Sequence, residues 1–280
     1  MNWTANRILG GAARVVALGF SLLAVSVAPV AQGQEPDGRT IVQNCDYKNP
    51  GSDQRSKLTI TLKDKDGNER TNIYLRLWKD YQGKESIADK MVLFTEFPPD
   101  ARGSAFMRWA FTATADKNAD QWIYLPVLRK TRRVSIRDPG DSFLGSDLTY
   151  ADISGRSIDQ DEHKFVKIDA RDGKDYYQVE STPKEKNPLY SKRVAWFLKG
   201  ATWEDCVKGG VVYYDPKGEF LKKQSLTWQK VNDAWMWKKV EVQNVQTKHS
   251  SVFQIDDAEV NVDLKDDVFT ERTLTNGYTR

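Results

Sequence analysis

Histidine and cysteine are scarce in this chain of 280 residues: there are two of each, His163 and His249, Cys45 and Cys206. Neither histidine has a second at metal-ligand spacing, so no metal site is expected. No Gly-x-Ser-x-Gly exists to make a nucleophile elbow, since Gly145-Ser146-Asp147 lacks the second glycine. Neither cysteine belongs to a Cys-x-x-Cys pair, which leaves redox exchange without support. Phosphate-cradling glycine loops are also missing, which removes nucleotide-dependent enzymes and any bound cofactor. The acids of Asp159-Gln160-Asp161-Glu162 and Asp256-Asp257 could do paired acid and base work, but they read better as solvated turns. The sequence is therefore that of a non-enzyme.

One apolar run is present, at the amino terminus. Met1 to Gly33 carries Arg7 and Arg14 and no acid, then runs apolar from Val15 to Val30. This is signal-peptide architecture, with the cut expected after Ala31-Gln32-Gly33, and the run is shorter than the ~20 apolar residues of a membrane span. No cysteine lies near the cut, so lipid attachment there is not available. The expectation is a soluble periplasmic protein, a monomer of one domain over residues 34–280. The whole chain holds 42 Lys+Arg against 39 Asp+Glu, and removing residues 1–33 leaves 40 against 39. Such neutrality argues against a nucleic-acid binder. In an oxidising compartment Cys45 and Cys206 suit one disulfide, worth ~3 to 5 kcal/mol; two buried free thiols are the other reading.

What is abundant is alternation. Leu58, Ile60 and Leu62 share one face, Asp64-Lys65-Asp66-Gly67-Asn68 turns the chain, and Ile73, Leu75 and Leu77 alternate again, which predicts a hairpin. A calcium loop would need further oxygen ligands and flanking helices. Further strands are predicted at 91–94, 105–112, 121–128, 132–137, 164–170, 175–181, 191–198, 210–214, 219–229 and 235–247, a sandwich or barrel count. Short helices are predicted at 39–45, 146–153 and 264–270. Strands such as Ala105 to Phe111 and Val211 to Tyr214 are apolar or aromatic on both faces, which suits a curved sheet whose concave side is covered.

An ordered set of motifs runs through the chain: Phe94-x-x-Phe97-Pro98-Pro99-x-x-x-Gly103-Ser104, Trp122-Ile123-Tyr124-x-Pro126, Arg132-Arg133-Val134, and Phe143-Leu144-Gly145-Ser146-Asp147-x-x-Tyr150-x-Asp152. Tyr214-Asp215-Pro216-x-Gly218, Leu226-x-Trp228 and a late Phe253 follow. With these the chain resembles the LolA-like outer-membrane lipoprotein-sorting proteins over most of its length. The resemblance implies a mainly β fold, an unclosed antiparallel half-barrel with a few short helices as lid over an apolar cavity. It implies a carrier or chaperone for a lipid, acyl chain or lipoprotein, in a branch associated with RND (MMPL-type) exporters and making transient membrane contact. The alternative is a non-catalytic envelope assembly protein that docks a transporter.

Candidate residues follow. Trp109, Phe111, Trp122, Tyr124, Trp196, Trp228, Trp235 and Trp237 are candidates for lining the cavity. Arg129, Lys130, Arg132, Arg133 and Arg137 could hold anionic headgroups or an acidic partner. Alternation puts Arg132 and Arg133 on opposite faces, so only about half of this cluster can meet one target. Phe143, Leu144, Leu148 and Tyr150 are candidates for a movable lid between Gly140 and Gly145.

Overall fold

Strict alternation over most of the chain produces one antiparallel sheet. The computed structural model describes residues 36–115, 117–134 and 139–278; the predicted signal peptide and Arg137 lie outside them. A helix α1 (Gly38–Asp46) precedes β1 (Asp53–Lys63), β2 (Glu69–Asp80), β3 (Ile87–Phe97), β4 (Ala105–Phe111), β5 (Asp120–Leu125) and β6 (Lys130–Val134). After residues 139–160 come β7 (Asp161–Arg171), β8 (Lys174–Pro183), β9 (Lys192–Leu198), β10 (Lys208–Tyr214), β11 (Phe220–Val231), β12 (Ala234–Asn244) and β13 (Ser250–Val260). A short helix α2 (Glu271–Asn276) follows.

The thirteen strands form a single sheet in the order β6-β5-β4-β3-β2-β1-β13-β12-β11-β10-β9-β8-β7. Two meanders, β1 to β6 and β7 to β13, are fused where β1 pairs with β13. The edges, β6 and β7, do not pair with each other, so the sheet is an unclosed half-barrel. Because β6 and β7 are the two edges, the chain joining them must cross a whole face of the sheet. The described part of that crossing, residues 139–160, is called the strap below.

Contacts of the strap show how strongly the sheet curls. Asp152 is held by Lys222 on β11, while the neighbouring Ile153 carbonyl accepts from Arg108 on β4 at 2.8 Å. Those strands are six places apart in the sheet order, about 29 Å if the sheet were flat. Two consecutive residues reach both only because the sheet wraps around the strap.

Register settles which side chains share the inner face. One row crosses eight strands as Leu62, Ser251, Val242, Gln224, Val211, Ala195, Val179 and Phe165. Leu58 and Ile60 of β1, Phe106 of β4 and Phe253 of β13 add to the centre of this face, where Phe143 and Leu148 of the strap are buried against them. On the outer face the row Leu77, Val92, Met107, Trp122 is covered by Leu264, Val268, Phe269 and Leu274 of the carboxyl-terminal segment.

The β1–β2 hairpin forms as expected, with Leu58 and Ile60 opposite Tyr74 and Asn72, which puts Ile73, Leu75 and Leu77 on the outer face. Two expectations change. Residues 146–153 form bends and turns instead of a helix, because Ser142 and Thr149 bridge and the Ser146 hydroxyl bonds the Phe143 carbonyl. The last strand, β13, lies beyond the predicted set; its pairing with β1 spans most of the chain and no local signal announces it.

Helix α1 begins under the Asp37 cap, whose Oδ1 accepts from Thr40 N at 2.9 Å. It lies so close to β7 that a Cβ on Gly38 would meet Phe165 N at 2.6 Å and His163 O at 2.7 Å, both backbone. Gly38→Ala is therefore expected to cost about 1–3 kcal/mol in denaturant unfolding, since the helix must shift off the strand. An unchanged midpoint would show that the approach is slack.

Candidate functional site

The strap and α1 both lie on the inner face, and between them they leave a cavity of about 650 Å³. Its apolar wall includes Val42 of α1, Ile158 of the strap, and Phe197, Val211, Leu226 and Trp228 of the sheet; its polar wall includes Asp152, Asp161, His163 and Arg193. The volume is in the ~300–1,000 Å³ range of small-molecule sites. Cys45 is bonded to Cys206, fixing the carboxyl end of α1 to the connection between β9 and β10 as one wall of this space.

Charges around the cavity are neutralised within it. Asp161 is ion-paired with Arg156 and Arg193, and Arg156 also reaches Glu185. Lys222 Nζ is almost wholly buried and meets Asp152 Oδ2 at 2.5 Å and the Asp147 carbonyl at 2.8 Å. Tyr190 donates to Asp152 Oδ1 at 2.9 Å. Burial, and then the Asp152 carboxylate, push the phenols of Tyr190 and Tyr213 well up, so both stay neutral.

The two histidines tether structure. His249 Nδ1 lies 2.8 Å from Asp147 Oδ2, which also accepts from Ser251 Oγ at 2.5 Å; the Ser251 hydroxyl is thus given to a carboxylate, not to an imidazole base. His163 Nε2 is 3.0 Å from the Ile158 carbonyl, which can only accept, so Nε2 carries the proton and Nδ1 accepts from Ser181 Oγ at 2.8 Å. Burial lowers the His163 pKa. As pH falls, the unfolded chain takes up this proton before the folded one, so stability drops through and below the ordinary range near ~6.5. The ring-proton NMR titration of His163 is expected to have its midpoint below that value; a midpoint above it would contradict the buried neutral ring.

The eight candidate aromatics do not meet in one cavity. Trp109, Trp122 and Tyr124 belong to the outer cluster under the carboxyl-terminal segment, and Phe111 lies under the Lys117 ammonium. Trp196 faces outward too, in a groove beside Arg171, donating to Asp169 at 2.9 Å. Trp228 lines the cavity, Trp237 packs against the central cluster, and Trp235 sits beneath Lys230. The reason is cross-strand register, which sends Met107 and its neighbours outward.

The basic cluster divides as alternation requires. Arg132 pairs with Ile123 on the inner-face row, whereas Arg133 pairs with Trp122 on the outer row and bonds Asp120. Lys130 shares the inner row side with Arg132, and Arg129 caps the turn 126–128, where Val127 and Leu128 are exposed. Phe143 and Leu148 are buried and Leu144 and Tyr150 partly buried, all against the central cluster.

Sequence reasoning passed over a polar row on the same inner face: Gln54 and Ser56 of β1, Arg76 of β2, Arg108 of β4 and Gln121 of β5 are all buried. The signal was there, since Gln54 and Ser56 stand at the same parity as Leu58, Ile60 and Leu62.

A family model described as "-like: Uncharacterized protein" matches residues 88–276, more than half of the chain. The chain belongs to that family. Its fold is LolA-like. A solved protein domain from Vibrio parahaemolyticus, assigned to outer membrane lipoprotein sorting, is 26% identical with a TM-score of 0.72, covering 85% of this chain and 98% of that one. A DUF1329 family protein from Desulfovibrio piger has a TM-score of 0.74 at 23% identity, covering 85% and 97%. A LolA superfamily protein from Nitrosomonas europaea has a TM-score of 0.61 at 17% identity, covering 85% and 99%. No curated protein matches the sequence. Among the described residues no cluster of metal-ligating side chains and no helix long and apolar enough to cross a membrane is found.

Proposed function

We propose that this LolA-like protein is a periplasmic carrier that shelters an acyl chain, lipid or lipoprotein on the inner face of its half-barrel, after removal of residues 1–33 as a signal peptide. The observation that carries the reading is the half-open cavity of about 650 Å³ between α1, the strap and strands β7 to β11. A ~16-carbon chain needs roughly 12 kcal/mol of shelter to cross water, which asks for a site that the protein can close over its cargo. The strap is the movable cover, with Phe143, Leu144, Leu148 and Tyr150 as its apolar underside. Arg129, Lys130 and Arg132, beside the exposed Val127 and Leu128, form the docking edge for an anionic membrane or for an RND-type exporter.

Native mass spectrometry of the gently purified protein, with displacement of a fluorescent fatty-acid probe, tests the reading. Bound lipid and probe displacement are expected; no lipid and no probe binding would sink it.

A second reading, a non-catalytic envelope assembly protein, is favoured by one observation: Phe143 and Leu148 fill the centre of the inner face. In that case the probe stays unbound while the Arg129 to Arg132 edge still docks its partner.

A further inference from the structure

Two guanidinium groups are buried on the inner face of β1 to β5, and only one of them is ion-paired. Arg76 and Arg108 are 7% and 6% exposed. Arg108 is ion-paired with Asp89 at 2.9 Å and donates to the Ile153 carbonyl. Arg76 donates to the neutral Gln54 Oε1 at 2.8 Å, and no carboxylate lies within ion-pair distance of it among the described residues. Burial pushes the Arg76 guanidinium down to about 10, with Asp89 pulling it back up and Arg108 pressing it further down, so it remains charged at neutral pH. Asp89 is thus taken by Arg108, and Arg76 is left with a neutral partner.

Around them are polar atoms with no hydrogen-bond partner. Ser56, cross-strand from Arg76, has an unbonded Oγ, and Gln121, cross-strand from Arg108 and 0% exposed, has both side-chain atoms unbonded; Arg108 Nε is unbonded too. Buried polar groups are normally satisfied, and a buried charge is normally paired, because each exception costs free energy. A buried guanidinium without an ion-pair partner, beside spare donors, is the complement of an anion.

We propose that Arg76, with Ser56, Arg108 and Gln121, forms a buried site for a phosphate-type or carboxylate anion, and that the cargo of this carrier is accordingly an amphiphile with an anionic headgroup. The site lies across the inner face from the cavity beside α1, where the three cations Arg156, Arg193 and Lys222 are balanced by the three carboxylates Asp161, Glu185 and Asp152. The central apolar cluster lies between the two, suited to the chain of such a molecule. The inference rests on the carrier reading and narrows its cargo.

Calorimetric titration with dodecyl phosphate and with dodecyl maltoside, both below micelle formation, separates chain from headgroup. The wild-type protein is expected to bind the phosphate at least ~10-fold more tightly, as charge-assisted hydrogen bonds in a dry site provide. Arg76→Met should abolish that preference while leaving maltoside binding and the circular dichroism spectrum unchanged; Arg76→Gln serves where the Met variant does not fold. A preference that survives both substitutions, or equal wild-type affinity for the two detergents, overturns the anion site and leaves the carrier reading standing. Failure of both detergents to bind overturns the carrier reading itself. Competition by millimolar inorganic phosphate in the wild type, lost in Arg76→Met, confirms the anion site and assigns it to a free anion instead of a headgroup.

Discussion

Replacing Cys45 and Cys206 by alanine is expected to cost roughly 5 kcal/mol of folding stability, the entropic value for a loop closed across 161 residues. That is a large part of the ~5–15 kcal/mol total available to a typical domain. Part of the loss acts on the folded state. Helix α1 leans on β7 through the Gly38 contact, and its carboxyl end is held by the bond to Cys206 together with the Asp46–Lys208 ion pair to β10. Guanidinium unfolding of the double variant, and of the wild type with and without reductant, measures the effect. A loss below about 1 kcal/mol would show that α1 packing through Ile41 and Val42 holds the helix without the bond. Because Val42 lines the cavity, the reduced protein is further expected, on the carrier reading, to release a bound fatty-acid probe faster.

Lys222→Met is expected to destabilise the protein by about 3–5 kcal/mol, the usual cost of leaving one partner of a buried ion pair alone. Lys222 and Asp152 have side chains 2% and 3% exposed, and Asp152 keeps Tyr190 as its other anchor. The substitution strands the Asp152 carboxylate against an apolar neighbour and frees the Asp147 carbonyl, loosening the strap at two points. Combining Lys222→Met with Asp152→Asn should recover a good part of the loss, since the uncompensated charge is gone. Chemical unfolding of the two single variants and the double gives the coupling. Additive losses, with no recovery in the double, would mean that the pair does not act as a unit.

Local patterns carried much of the architecture. Leu58, Ile60 and Leu62 followed by Asp64 to Asn68 predict a hairpin, and the hairpin forms, because turn chemistry and period-2 alternation act over a few residues. The split of Arg132 from Arg133 follows from alternation alone and is the split observed. The aromatics were illegible for the opposite reason. Trp122 and Trp228 look alike in sequence, yet register and the covering segment send one beneath the carboxyl-terminal residues and the other into the cavity. The strap misled as well: Ser146 to Ile153 has helical spacing, but its acids are claimed by side chains roughly 70 to 100 positions away, Lys222, His249 and Ser251.

By itself the sequence determined that this is an antiparallel β protein with motifs of the LolA-like type. These are properties of composition and near-neighbour pattern. Only the tertiary structure decided that β1 closes on β13, that the connection from β6 to β7 crosses the inner face, and that Arg76 is buried with a neutral partner. Each depends on contacts between residues far apart in the chain. The energetics there are set by which groups are jointly removed from water, which no local stretch of sequence specifies.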